Sequence, residues 1–186
     1  LDRLNVQQCH LVGHSMGGLT ALMLAGSHPE RFLSFTNIEG NIAPEDCFLS
    51  RQIISYPAAT PDEFFEQFIQ RTRHAPAYSS PLYSASLRHK VRAHAVPSIF
   101  KSMVHLSDHG DLMARFLNLP FPKMFMYGAQ NRTLSYLSHI EKNGVKLAEI
   151  PQCGHFPMYA NPPAMWREMV AFLNEKGGKS GDASSS

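Results

Sequence analysis

The pattern of hydrophobic and polar positions predicts short buried strands that alternate with helices. Largely apolar runs of strand length cover residues 6–13, 32–38, 123–127 and 145–150. Helical stretches are predicted at residues 16–27, at 134–142 and from Asn161-Pro162 onward, and residues 1–4 are typical of a helix end. Because helices separate consecutive strands, the strands are predicted to form one parallel sheet in an α/β fold.

A long helical segment, residues 40–119, interrupts this alternation between the second and third strands. Thr60-Pro61-Asp62-Glu63 has the pattern of a capping box with proline at the first helical position. Ser79-Ser80-Pro81 indicates a second helix start, and residues 108–119 are predicted to form a third helix. The segment therefore predicts a helical insertion in the sheet domain.

The motif Gly13-His14-Ser15-Met16-Gly17 lies between the first strand and the first helix. A G-x-S-x-G sequence in this context is typical of a nucleophile elbow, a sharp turn that projects the serine hydroxyl above the strand. We expect glycine to be required at both Gly13 and Gly17, because side chains there would clash in the turn. Ser15 is the candidate nucleophile, and the Met16 backbone N–H is the candidate oxyanion donor.

A second motif, Gly154-His155-Phe156-Pro157, follows the last predicted strand. A histidine on a loop after a late strand is suited to act as the general base for a serine nucleophile. We therefore predict that His155 is the base. His14 occupies a variable position of the elbow, and we interpret it as structural.

With the serine early and the histidine late, the chain resembles the α/β-hydrolase superfamily over nearly its whole length. The resemblance implies a core at residues 1–39 and 120–176, a helical cap at residues 40–119 and a disordered tail at residues 177–186. In this superfamily several strands and a second oxyanion donor precede the elbow. The resemblance thus predicts a partial fold of about four strands. The predicted partner of this chain is the missing N-terminal segment, and the chain alone is expected to have impaired activity.

The sequence offers more than one candidate for the acid of the predicted catalytic triad. The superfamily commonly has an aspartate after the strand before the last, where this chain has Asn131. Some members, including certain haloalkane dehalogenases, have the acid after the strand that follows the elbow, and Glu39 resembles that arrangement. Glu39 is the preferred candidate, and replacing Asn131 is then expected to matter little. The alternatives are a degenerate triad and three other carboxylates, Asp46, Asp108 and Asp111.

The predicted cap is rich in aromatic and methionine side chains that could line an apolar pocket or simply pack helix on helix. The candidates are Phe48, Tyr56, Phe65, Phe68, Tyr78, Tyr83, Phe100, Met103 and Met113. Packing alone explains any one of them, so no substrate-binding residue is assigned. The basic run at residues 88–92 is interpreted as a solvated helix face.

Composition restricts the possible partners. The 186 residues carry a formal net charge of +2 without a long block of one sign, which argues against nucleic acid and membrane as partners. Three scattered cysteines fit neither a disulfide framework nor a zinc site, and they favour a cytoplasmic location. No metal and no organic cofactor are expected.

These observations predict a serine hydrolase, similar to carboxylesterases, that acts on a small apolar ester or carbonyl substrate. A carbon–carbon bond hydrolase is an alternative, since it would use the same triad and a similar cap. A non-catalytic binding relative is another. Dehalogenase chemistry is disfavoured, because it requires a carboxylate nucleophile.

Overall fold

Four parallel strands form the sheet that carries the predicted site residues. The computed structural model describes residues 1–55, 60–75 and 80–177. Within these ranges the strands are β1 (Cys9–His14), β2 (Phe32–Ile38), β3 (Lys123–Gly128) and β4 (Lys146–Ile150), in the spatial order β1-β2-β3-β4. Ile38 pairs with both His14 and Met126, so the carboxyl ends of the first three strands lie side by side.

Helices separate the strands, as the sequence predicts. Those of the described residues are α1 (Met16–Ser27), α2 (Phe48–Ile54), α3 (Pro61–Arg73), α4 (Ser80–Lys90), α5 (Val96–His109), α6 (Leu112–Leu117), α7 (Leu137–Lys142), α8 (Pro157–Ala160) and α9 (Pro162–Gly177). The parallel α/β architecture is therefore confirmed. Helices α2 to α6 lie between β2 and β3 in the chain, and their definition as a separate cap stays a prediction.

The predicted boundaries of several elements needed correction. β1 begins at Cys9, three residues later than expected, and residues 2–4 form a 3₁₀ turn. The helix predicted at 108–119 is wrong in extent: α5 continues to His109 and α6 begins only at Leu112. Asp111 has a left-handed backbone, with φ of 49°, which ends one helix before the next begins.

The Thr60 cap predicted for α3 is confirmed by a 3.1 Å hydrogen bond from the Glu63 N–H to the Thr60 hydroxyl. Gly177, assigned to the predicted tail, is the last residue of α9. The rest of that tail, residues 178–186, and the start of the Ser79-Ser80-Pro81 motif lie outside the described residues.

Alternate side chains of β3 divide the core into two layers. Phe125 and Tyr127 face the layer that contains α1. Met124 and Met126 face the opposite layer, which contains the α9 side chain Phe172. A strand covered on both faces buries side chains of both orientations, which explains why β3 is apolar at consecutive positions rather than at alternate ones.

The helices between β2 and β3 have a smaller core of their own, made by α3, α4 and the start of α5. Its buried members are Phe64, Phe65, Ile69, Leu87 and Val96. None of the helices described is both long and apolar enough to cross a membrane.

β1 is an edge of the described sheet, with β2 on one side only. Val12 on this strand is 44% exposed. The outer backbone groups of an edge strand are available to pair with another strand. The expectation of further strands beside β1 stays a prediction.

Candidate active site

The Ser15 turn has the backbone geometry of a strained elbow. Ser15 lies between the last residue of β1 and the first of α1, with φ of 53° and ψ of −126°. Non-glycine residues rarely adopt positive φ, and such strain concentrates at functional sites. The Ser15 N–H donates to the Ile38 carbonyl at 3.0 Å, which ties the turn to the end of β2.

Only one of the two elbow glycines is required by packing. A Cβ atom at Gly13 would lie 2.6 Å from the Gly17 carbonyl oxygen and 2.8 Å from the Ala21 Cβ. A Cβ atom at Gly17 would meet nothing within 4 Å, so the expected requirement for glycine there is wrong. Gly18 is restricted instead, because its Cβ would lie 2.7 Å from the Gly40 Cα.

The Met16 backbone amide, the candidate oxyanion donor, lies at the start of α1. It is the first N–H of α1, one of the amides that a helix leaves without an intrahelical acceptor. Within the described ranges no hydrogen-bond acceptor is assigned to it. A helix N-terminus with a free amide favours a negatively charged oxygen.

His155 connects the serine to a carboxylate. It lies on the loop between β4 and α8, and its side chain is 33% exposed. Its Nε2 is 2.9 Å from the Ser15 Oγ, and its Nδ1 is 2.6 Å from the Glu39 Oε2. Because an ionised carboxylate only accepts hydrogen bonds, Nδ1 is the donor to Glu39 and Nε2 is left to accept from the Ser15 hydroxyl.

Glu39 directly follows β2, and its side chain is only 6% exposed. Its Oε1 accepts from the Gly128 N–H at 2.7 Å, and its Oε2 accepts from the Asn131 Nδ2 at 2.7 Å in addition to His155. Burial by itself raises the pKa of Glu39, but these three donors and the charge of His155 outweigh burial and hold the pKa below its ordinary value. Glu39 is therefore a carboxylate at neutral pH.

The structure thus brings Ser15, His155 and Glu39 into one hydrogen-bonded series. The other carboxylates considered are not part of this series. Asp46 accepts from the backbone of Ile42 and Ala43 and from the Tyr136 hydroxyl. Asp108 forms an ion pair with Arg51, and Asp111 precedes α6.

Sequence reasoning missed the contact between His14 and His155. The His14 Nε2 donates to the His155 carbonyl at 2.7 Å, and the two rings lie 4.9 Å apart. Burial, followed by repulsion from His155, lowers the pKa of His14 to about 4. His14 is therefore a neutral side chain that anchors the loop carrying His155.

This low pKa predicts a loss of stability in mild acid that depends on His14. An unfolded histidine gains a proton near its ordinary pKa of 6.5, whereas folded His14 stays neutral down to about 4. The stability that the neutral form provides is therefore present above pH 6.5 and lost as the pH falls to about 4, by about 3 kcal/mol. The free energy of unfolding of His14→Gln, measured with urea, should depend less on pH over this range than that of the wild type. His139→Gln, at an exposed position of α7, should match the wild type, and equal slopes for both variants would contradict the prediction.

Helix α4 contacts the His155 loop through aromatic side chains. Tyr83 stacks on Phe156 with ring centroids 4.1 Å apart, and Lys90 Nζ donates to the Tyr159 hydroxyl at 3.1 Å. Of the other aromatic and methionine candidates, Phe65 and Met103 are buried in helix packing. Tyr56 and Tyr78 lie outside the described residues.

Over residues 1–55, 60–75 and 80–177, the histidine, cysteine and acidic side chains form no group of three suited to hold a metal ion.

A family model for the alpha/beta hydrolase fold matches residues 1–101, more than half of the chain. The chain belongs to the alpha/beta hydrolase fold family. Among solved structures, a carboxylesterase from the thaumarchaeon Nitrososphaera gargenis superposes on this alpha/beta hydrolase chain with a TM-score of 0.68. The superposition covers 95% of this chain and 68% of that one at 16% identity, which shows similarity of fold.

Two curated proteins are also similar in sequence to this alpha/beta hydrolase. A pimeloyl-[acyl-carrier protein] methyl ester esterase from Aeromonas hydrophila is 44% identical over 55 residues, which are 30% of this chain and 19% of that protein. A dihydrolipoyllysine-residue acetyltransferase component of an acetoin cleaving system from Pseudomonas putida is 24% identical over 181 residues, 94% of this chain and 48% of that protein. The chain thus spans half or less of the length of these relatives.

Proposed function

We propose that this chain carries the triad of a serine hydrolase that cleaves an ester or related acyl bond of a small apolar substrate. The observation that carries the proposal is the hydrogen-bonded series from Ser15 Oγ through both nitrogens of His155 to Glu39. In such a series the carboxylate fixes the tautomer of the imidazole and stabilises its charged form.

The proposed reaction begins when His155 Nε2 accepts the Ser15 hydroxyl proton and Oγ attacks the substrate carbonyl carbon. The carbonyl oxygen becomes an oxyanion, which the Met16 N–H stabilises. His155 then donates its proton to the leaving alcohol, and an acyl-serine remains. Water, deprotonated by His155, attacks the acyl carbon. The bond to Oγ then breaks while His155 returns the proton to Oγ, which releases the acid and regenerates Ser15 and neutral His155.

Two observations support an apolar ester as the substrate. The Phe156 ring lies 5.0 Å from the His155 ring and Tyr83 stacks on Phe156, so aromatic groups form one side of the site. The curated relative with 44% identity over 55 residues is named a methyl ester esterase. The particular acyl group and alcohol are left unassigned.

Labelling with a fluorophosphonate tests the proposal without knowledge of the substrate. The probe reacts with serines activated by an adjacent base. We expect native protein to be labelled on Ser15, located by peptide mass spectrometry, and heat-denatured protein not to be labelled. Labelling of another residue, or none of the native protein, would contradict the proposal and favour a non-catalytic relative that only binds ligands.

A further inference from the structure

The side chain of Asn131 makes a contact that the proposed reaction does not use. Its Nδ2 donates to Glu39 Oε2 at 2.7 Å, and the same oxygen accepts from His155 Nδ1 at 2.6 Å. Oε2 therefore lies between one donor that takes part in the proposed triad and one that does not.

Glu39 needs support from outside its own strand. A glutamate side chain has more rotatable bonds than an aspartate, so more conformational freedom must be lost to hold its carboxylate in one place. The Gly128 N–H donates to Oε1 and the Asn131 side chain donates to Oε2. Gly128 is the last residue of β3, and Asn131 lies in the turn directly after that strand. Since β3 pairs with β2, which ends one residue before Glu39, the end of β3 forms a clamp with one donor for each carboxylate oxygen.

The charge and the hydrogen-bonding group of the side chain at position 131 matter as much as its length. An aspartate there would bring a second carboxylate against Oε2, and two carboxylates at contact distance cannot both stay ionised. An amide donates a hydrogen bond without adding charge, and it leaves Glu39 ionised. Asparagine is therefore suited to support a glutamate that supplies the negative charge.

We propose that Asn131 is a positioning residue that acts through Glu39, holding Oε2 against His155 Nδ1 so that the imidazole faces Ser15. The inference rests on the proposed function, because it concerns the same triad. It revises the sequence-based expectation that replacing Asn131 has little effect.

The titratable groups around Glu39 leave a pH range in which the effect of a new charge can be measured. They come from β1, from the segment before α7 and from the loop after β4, and they are His14, Tyr136, Cys153 and His155. The pKa of His14 is lowered to about 4, that of Cys153 is raised by burial to about 12, and that of Tyr136 is raised, chiefly by burial. Between about pH 5 and about pH 9 His14, Tyr136 and Cys153 keep their charge state and Glu39 stays ionised, so a pH dependence that differs between the wild type and a variant reports on a charge added at position 131.

Steady-state kinetics with a short p-nitrophenyl ester gives the first test. We expect Asn131→Ala to lower kcat about tenfold with little change in KM, since one hydrogen bond to a charged group is lost. Thr133→Ala, an exposed position in the same turn, is the matched control and should match the wild type. Asn131→Asp, which keeps the shape of asparagine, should lose more activity at high pH than at low pH relative to the wild type. The reason is that the introduced carboxyl group repels Glu39 when it is ionised, whereas in its protonated form it can donate in place of the amide.

A double-mutant cycle shows whether Asn131 acts through Glu39. In a Glu39→Gln background, Asn131→Ala should cost almost nothing further, because the group that it positions is already impaired. An equal loss in both backgrounds, or wild-type activity of both Asn131 variants, would overturn the proposal.

A spectroscopic test separates this inference from the proposed function. The proton between His155 Nδ1 and Glu39 Oε2 should give a low-field ¹H NMR signal that Glu39→Gln removes. We expect Asn131→Ala to shift this signal and Thr133→Ala to leave it in place. An unchanged signal in Asn131→Ala would overturn the positioning role even in an active enzyme. A wild type without labelling or turnover would overturn the proposed function, while the signal would still decide the role of Asn131.

Discussion

Replacing Ser15 with alanine is expected to lower kcat for a p-nitrophenyl ester by about a millionfold, the size of effect seen when a serine nucleophile is removed from a triad. The hydroxyl at 2.9 Å from His155 Nε2 is the proposed attacking group, and alanine leaves no atom that can form the acyl intermediate. Ser27→Ala is a suitable control, because Ser27 is exposed on the same helix and its hydroxyl donates to the Met23 carbonyl. Initial rates and fluorophosphonate labelling of the two variants check the prediction.

Ligand binding to Ser15→Ala separates an enzyme from a binding relative. An enzyme should lose turnover with this change and still bind an apolar ester, measured by calorimetry, about as tightly as the wild type does. Turnover that survives in Ser15→Ala would place the nucleophile elsewhere. A wild type that binds the ester and never releases an acid would support the binding relative.

Replacing Glu39 with glutamine is expected to lower kcat about 10⁴-fold, the effect of the corresponding acid-to-amide change in a serine protease triad. Glutamine retains the shape of the side chain, but it cannot offset the charge of protonated imidazole. Its amide group can also present a donor to His155 Nδ1 and so favour the wrong tautomer. The measurement is kcat for the same p-nitrophenyl ester, with thermal unfolding followed in parallel to confirm that the variant folds.

Asp108→Asn is the matched control for the acid, because it removes a carboxylate that was a candidate from sequence. Asp108 pairs with Arg51 on the surface, so we expect its replacement to leave kcat within about twofold of the wild type. A large loss in Asp108→Asn combined with a small one in Glu39→Gln would reassign the acid.

The fold could be predicted largely from sequence because buried parallel strands are mostly apolar at consecutive positions, although β2 also contains Ser34, Thr36 and Asn37. This pattern located β2 to the residue and the other strands within a few residues. The break between α5 and α6 was missed, since it depends on the left-handed conformation of Asp111, which local sequence does not require. Gly17 was misjudged because the motif gives a glycine at that position, whereas the space around it depends on how α1 leaves the turn.

The members of the candidate site differ in how far local sequence identifies them. Ser15 and His155 lie in short motifs that can be recognised alone. Glu39 could be inferred because adjacent parallel strands bring their carboxyl ends together, which is where functional groups collect. The contacts of Asn131 with Glu39 and of His14 with His155 join residues 92 and 141 positions apart, and they depend on side-chain conformations that one sequence does not determine.

Ser15 and Glu39 combine a strained backbone, which lowers stability, with a proposed role in catalysis. Both residues have positive φ, 53° and 44°, a conformation that costs most side chains of the order of 1–3 kcal/mol and glycine almost nothing. Glycine at either position would relieve that strain and would at the same time remove the proposed nucleophile or the proposed acid. Glu39 also accepts hydrogen bonds from Gly128, Asn131 and His155, which offset its strain, so selection for thermal stability alone would favour loss of the side chain chiefly at Ser15. A search for more stable variants therefore has to screen for turnover as well as for folding.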